Sequence, residues 1–546
     1  LGDRGEIIVL GRRYSPNKED IRRKPPISGK AEKPVKMIAA YLRCRFANCL
    51  LFTLGLTVAA PCAWAQEVAP APTPVVPPVE LPPLADGQKP YPINLPTAMQ
   101  LAHARAIDIA LASERIRIAA AQLDRAKVLW LPTLLLGADY YRHDGQIQDI
   151  QGNVFGTSRT SMMVGGAPYM VFALADALFA PLAARQVSQA RQASLQAATN
   201  DTLLVVAETY FNVQQARGEL AGAVDVVRKT EEVARRAKEL APGIIPPVEE
   251  IRVRTELARR RQVLTVQQAR WRTTGAELVR LLRLDPTVIV DPVDPPNLKI
   301  TLLPCDRPVD DLIPIGLSQR PELASQQALV KAALARLRQE RIRPLVPSIL
   351  LRGTSTQATG TLAAGFFGGG LNSSFGNFGV REDFDLQALW ELQNFGLGNR
   401  ARVRESEAER KAALMELFRT QDRVAAEIVQ AHAEVQAATA RLTDAETEVK
   451  DALDSYDKNL EGLGQTRRAG NLVILVIRPQ EVVAAIQALG QAYGDYYGTV
   501  ADYNRAQFRL YRALGQPGQS LMTDPNLGPC EPVPTGTPAA LPPAAP

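Results

Sequence analysis

Histidine is almost absent from this chain. Among 546 residues only His103, His143 and His432 occur, each isolated from the others. A metal site or a histidine-based triad needs partners at motif spacing, and none is visible. His432 falls on a heptad helix beside its seam, where a surface imidazole is the ordinary state. Cysteine is as scarce: of five, only Cys305 and Cys530 lie beyond the first 65 residues. In an exported chain these two either form one disulfide or remain two unpaired structural thiols. Glycine-rich stretches such as Gly365 to Gly370 lack the Lys-Ser/Thr pair and the strand-to-helix setting of a phosphate cradle. Beyond the N-terminal segment no apolar run approaches the roughly 18 residues that a membrane helix requires. The sequence therefore predicts no enzyme, no cofactor and no metal, and any residence in a membrane must be as β-strands.

A lasting excess of positive charge is also missing. The formal net charge is +6, yet the first 65 residues hold 12 Lys and Arg against 5 Asp and Glu, which leaves 51 against 52 in the remainder. A nucleic-acid partner would need basicity that survives in the working protein, so none is expected. The Arg259-Arg260-Arg261 run lies on a long helix and reads as a solvated face. The N-terminal segment itself reads as a signal peptide over 37–65: Met37 with Lys36, Arg43 and Arg45 nearby, the short apolar run Cys49 to Ala60, and the small-x-small site Ala63-Trp64-Ala65 before Gln66. A membrane anchor is the alternative. Pro61 stands where a lipidation signal at Cys62 wants a small residue. Residues 1–36 read as an upstream extension, 66–96 as a proline-rich tether and 516–546 as a tail of the same character.

What is present is repetition. Leu131-Pro132-Thr133-Leu134-Leu135-Leu136 recurs as Val346-Pro347-Ser348-Ile349-Leu350-Leu351. Val213-Gln214 followed by Leu220 recurs as Val435-Gln436 followed by Leu442, and Gly243 with a helix ending at Leu284 recurs as Gly470 with a helix ending at Leu514. The body is thus two similar repeats, 97–300 and 309–515, joined by a linker at 301–308. Each carries a very long helical pattern. Leu414, Leu417, Gln421, Val424, Ile428, Ala431, Val435, Ala438, Leu442, Ala445, Val449, Ala452 and Tyr456 step by three and four without a break, which is a heptad seam. Helices from about Leu182 to Leu240 and from about Gly398 to Leu463 would run roughly 90 to 100 Å, too long for a compact domain. Their seams are rich in alanine, which suits a thin shared wall. Between the short and long helices of each repeat, 131–172 and 346–392 are rich in glycine, small polar residues and aromatics, and read as strand, loop, strand. Four strands per chain would suit part of a transmembrane barrel; two surface hairpins on a soluble helical protein are the alternative.

This arrangement resembles the TolC-like outer-membrane efflux proteins, from Leu95 to Gly515. The resemblance is carried by Leu131-Pro132 before a strand, by Trp390-Glu391-Leu392 to Phe395-Gly396-Leu397-Gly398 leading into the second long helix, by the Ala469-Gly470 tip, and by Tyr503-Asn504-Arg505-Ala506 to Leu514-Gly515. It implies a mainly α chain with a β-barrel portion: a tandem-repeat, long-helix α-barrel plus four strands per chain in a trimeric transmembrane β-barrel. It implies a homotrimer in outer-membrane lipid, with the helices in the periplasm, conducting solutes or polypeptide passively from a periplasmic adaptor and an inner-membrane transporter. A soluble periplasmic coiled-coil scaffold is the alternative function. The resemblance further implies that the tips, Pro242 and Gly243 in one repeat and Ala469, Gly470 and Asn471 in the other, contact the adaptor. Family members place an acid six residues after the tip glycine, near the tunnel constriction. Glu249 matches, with Glu250 next to it. The second repeat departs, having Val476 there with Arg478 beyond, so an acidic ring of the usual kind is not expected.

Overall fold

The computed structural model describes residues 90–241, 245–304, 307–352, 364–371, 376–382, 384–469 and 472–522. All belong to the second of two units into which the chain divides, Pro74–Pro546. The leader, the tether before Pro90, the 523–546 tail, Cys305 and Cys530 lie outside the described residues.

The first repeat runs β1 (Pro90–Ile93), α1 (Leu95–Arg105), α2 (Ile107–Lys127), β2 (Thr133–Gln148), β3 (Val154–Ala173), α3 (Leu174–Leu240) and α4 (Pro247–Leu282), closed by β4 (Ile289–Pro292). The second runs α5 (Val309–Gln319), α6 (Pro321–Ile342), β5 (Ser348–Arg352), β6 (Ala364–Leu371), β7 (Gly376–Glu382), β8 (Asp385–Leu389), α7 (Leu397–Gly462), β9 (Thr466–Ala469), β10 (Leu472–Leu475) and α8 (Pro479–Ala513). The short-helix, strand, long-helix, return-helix order thus occurs twice. β1 and β4 pair in parallel beside α1.

Helices α3 and α7 have 67 and 66 residues, roughly 100 Å each at helical rise. α3 begins eight residues before the expected start at Leu182, because β3 passes straight into it and Pro181 sits inside it. A proline there forfeits only one hydrogen bond near the helix end. The heptad residues are where burial occurs. From Val424 to Tyr456 every seam residue named above is buried, whereas Leu414, Leu417 and Gln421 are half-exposed. The change falls near the end of α8, whose Leu510 and Leu514 share a core with Val424 and Ile428.

Packing partners switch along the length. Toward the sheet, α3 lies between α2 and α6, and α6 also packs on α7; toward the tips, α3 lies between α4 and α8, and α8 packs on α7. Among the described residues α2 packs chiefly on α3, α4 packs on α3 and touches α8, and α7 packs on α5, α6 and α8. The interlock of α3 with α8 is close. Gly218 and Gly222 face Tyr497 and Tyr493, and a Cβ at Gly218 would lie 2.5 Å from the Tyr497 ring. The chain between β4 and α5 is pinned by buried polar side chains as well as by Leu298, Ile300, Leu302 and Leu303. Gln214 donates to the Pro295 carbonyl at 2.6 Å. Asn504 accepts from the Ile300 amide and donates to the Leu298 carbonyl, both at 2.8 Å.

The six strand segments form one antiparallel sheet of four lines. β5 and β6 both pair with β3, at residues 169–173 and 159–166, so they lie end to end along it; β8 and β7 continue this on the next line. The order is β2, β3, β5 with β6, then β8 with β7, and among the described residues neither outer line has a strand on its far side. In the register, Ala138, Val164, Phe366 and Val380 stand opposite one another across all four lines. Opposed residues share a face, and this row is apolar and, at Val164, Phe366 and Val380, exposed. The neighbouring positions on β2 with the other orientation, Asp139, Tyr141 and His143, are polar-tipped. No described helix is long and apolar enough to cross a membrane.

Candidate functional site

The ends of the long helices farthest from the sheet hold the residues singled out from the sequence. At the first, α3 closes with the Ala241 amide on the Ala237 carbonyl at 3.0 Å. Pro242 and Gly243 lie outside the described residues. Ile245 then bonds back to the Leu240 carbonyl at 3.3 Å. Pro246 caps α4 and Pro247 opens it, the position at which a missing amide hydrogen costs nothing.

Glu249 and Glu250 occupy the first turn of α4, where carboxylates complement the helix dipole. Their surroundings differ. Glu249 is 8% exposed; its Oε1 accepts from Arg252 at 2.6 Å, while its buried Oε2 has no hydrogen-bond partner. Arg252 also donates to Gln480 of α8 at 3.2 Å, so the acid is tied, through one guanidinium, to the other repeat. Glu250 is half-buried and stands 3.8 Å from Arg254.

The second tip is built differently. In place of a bare reversal between helices, β9 and β10 form a short antiparallel hairpin, Thr466 opposite Leu475 and Ala469 opposite Leu472. Gly470 and Asn471 at its turn lie outside the described residues. The Leu472-Val473-Ile474-Leu475 run carries the β-branched signal that could have revealed it. The Val476 amide bonds the Gln465 carbonyl at 2.9 Å, and its side chain is exposed. Ile477 packs so closely on α7 that a Cβ at Gly462 would meet its Cδ1 at 2.5 Å. Arg478 is exposed and caps α8. The structure thus sets Glu249 beside α8 but leaves Val476 and Arg478 exposed. A further tie, legible in no motif, is Arg236 of α3 donating to the Leu460 carbonyl near the end of α7 at 3.1 Å.

Behind the tips the wall holds buried acids with definite partners. Asp225 accepts from Tyr493 at 3.0 Å and Arg228 at 2.6 Å. Lys229 lies 4.5 Å above the Tyr456 ring. Burial, with nearby Asp225, raises the Tyr493 phenol far above its ordinary range. Burial likewise pushes Tyr456 and Tyr497 up to about 12. Toward the sheet, Arg512 of α8 reaches Asp201, Glu322 and Glu427, on α3, α6 and α7. Arg320, with its side chain 3% exposed, bonds Glu427 at 2.6 Å and the Ala513 carbonyl at 2.8 Å. Among the described residues no group of His, Cys, Asp and Glu could hold a metal ion.

A family model described as outer membrane efflux protein matches residues 312–464. Solved channels share the whole arrangement. The outer-membrane channel OprN has a TM-score of 0.63 at 19% identity, over 78% of this chain and 90% of its own. The chain carries an outer membrane efflux protein domain in a TolC-like channel fold. The Campylobacter jejuni CmeC outer membrane channel gives 0.60 at 17% identity, over 78% of this chain and 86% of its own. The open state of the Neisseria gonorrhoeae MtrE outer membrane channel gives 0.59 at 17% identity, over 78% and 89%. No curated protein sequence matches the chain. In this channel fold the four strand lines are the barrel portion and the long helices the α-barrel portion. The buried ion pairs and tyrosines described above hold helices together; they are the joints of a wall.

Proposed function

We propose that three copies of this chain close into one outer-membrane channel that passively conducts solutes or polypeptide. The observation that carries this reading is the sheet. It has four lines, two edges without strand partners among the described residues and an apolar exposed row, and it runs directly into helices of 67 and 66 residues. Unpaired strand edges are intolerable in lipid, so copies of the same sheet must complete the barrel. Helices α2, α4 and α7 would meet neighbouring copies in the same closure. An exported protein with its leader cut after Ala65 reaches that location, and a soluble scaffold would have no use for the apolar row.

In this reading the helices stand in the periplasm, and an inner-membrane transporter loads the conduit through a periplasmic adaptor. The adaptor meets the tips at Pro242, Gly243, Ala469, Gly470 and Asn471. Glu249, Glu250, Val476 and Arg478 surround the constriction, where one repeat supplies acid and the other does not. Fractionation tests the location and the trimer: recovery from outer membranes as a detergent-requiring trimer is expected, and a freely soluble protein would sink the reading. Transport is tested by deletion, with a rise in intracellular drug or loss of export of a secreted protein expected.

A further inference from the structure

The corner where the sheet meets α7 has a shape that no wall joint requires. Asn394, Phe395 and Gly396 take three successive left-handed conformations, φ 46°, 56° and 84°. A bulky aromatic rarely adopts that conformation, and such residues persist where the surroundings over-determine them. Here buried Asn399 holds the turn, its Oδ1 accepting from the Gln393 amide at 2.8 Å. The result is that the Phe395 ring stands fully exposed at 101%. Trp390 at 62% and Leu392 at 66% are exposed beside it, and Trp130 does the same at the corresponding end of α2 at 62%.

Next to this aromatic edge lies an open cavity of about 850 Å³ with an apolar side of Pro344, Leu392, Leu397 and Val403 and two guanidiniums, Arg400 and Arg404. The two arginines are one helical turn apart on α7, so they share a face. Neither has an ion-pair partner among the described residues, nor has Arg402, nor Arg336, Arg338 and Arg341 in the last two turns of α6. Of the acids of the same region, Asp124 is engaged by Lys127, and Asp176 and Glu340 by Arg343, while Glu405, Glu407 and Glu409 follow on α7 outside the cavity lining. Glu391 accepts from Gln393. The cavity lining thus carries two arginines and no acid, beside exposed aromatic rings.

We propose that this corner binds an anionic phospholipid: Arg400 and Arg404 take the headgroup phosphate, the apolar side takes the upper acyl chain, and Phe395 and Trp390 sit at the headgroup level. The proposal rests on the membrane-channel reading above and deepens it. Aromatic rings prefer that level, and basic groups near a membrane surface attract anionic lipid.

The test uses the full-length protein in neutral detergent, with lipid adducts counted by native mass spectrometry. Phosphatidylglycerol is expected to bind more tightly than phosphatidylcholine. R400Q/R404Q, exposed changes, is expected to cut phosphatidylglycerol affinity roughly thirtyfold and leave phosphatidylcholine unchanged; F395S weakens both lipids. Equal binding of the two lipids, a preference that survives R400Q/R404Q, or full displacement by inorganic phosphate at matched ionic strength would overturn the proposal. So would cross-linking of F395C to a neighbouring copy without a change in lipid binding. Reconstitution separates the two readings. Insertion into neutral and anionic vesicles alike, with wild-type and variant indistinguishable, defeats the lipid site alone; failure to insert into any vesicle defeats the channel reading beneath it.

Discussion

Gly218 and Gly222 set the distance between α3 and α8, and their absent side chains are as structural as the tyrosines that fill the space. G218V drives a methyl into the Tyr497 ring, and a loss of about 1–3 kcal/mol is expected in denaturant unfolding. The same change combined with Y497A should recover part of it, since residues in contact are not additive; strictly additive losses would show that the two do not meet. The tyrosines also make stability depend on pH. Tyr456 and Tyr497 titrate at about 12 in the folded chain, burial being the first cause, against about 10 when unfolded. Between those values the folded state binds more protons, so stability falls as pH rises. Their contribution is full below about pH 10 and disappears through about pH 12, an alkaline unfolding that Y456F and Y497F should blunt. The glycine spacing and the tyrosine spacing are both written in the sequence. Which glycine meets which ring was not, because register across two distant helices is set by everything else that packs.

At the scale of the element, α7 is a helix whose seam was readable residue by residue, and whose neighbours were not. Its heptads announce a long coiled surface, but Val424 is buried and Leu417 is not because α8 ends between them. I428A, well inside the covered part, should cost about 2–5 kcal/mol by transfer and cavity terms. L417A, half-exposed in a single chain, should cost little in a monomer and more in an assembled trimer. The helix-joining arginines follow the same rule. R320A removes a buried charge-assisted bond to Glu427 and one to the Ala513 carbonyl, and a loss of about 2 kcal/mol is expected in thermal or denaturant unfolding. The second tip illustrates the reverse. Its β-branched Val473 and Ile474 favour a hairpin, a local signal that the duplicated order of landmarks does not carry, since the first tip has no run like Leu472 to Leu475.

The whole molecule adds consequences that no element carries. Arg252 joins Glu249 to Gln480, and Arg236 joins α3 to the Leu460 carbonyl, so both repeats are tied at their tips. If the channel widens there, those ties must part. R252Q is expected to raise conductance across planar bilayers and drug sensitivity in cells while leaving trimer yield unchanged; an unaltered conductance would remove Arg252 from any gating role. Glu249, the acid placed near the constriction, is largely buried in a single chain and is also tied to α8 through Arg252.

Local pattern by itself determined a great deal: heptads need no partner to declare a long helix, prolines mark where helices start, and a duplicated order of landmarks declares a duplicated fold. Tertiary structure alone decided what each surface meets. It placed β5 and β6 end to end on β3, turned Gln214 and Asn504 inward to hold a linker, buried Glu249 and left Phe395 bare. Periodicity is a property of consecutive residues and survives in the sequence; burial is a property of neighbours brought from 200 or 300 residues away, and exists only once the chain has closed on itself.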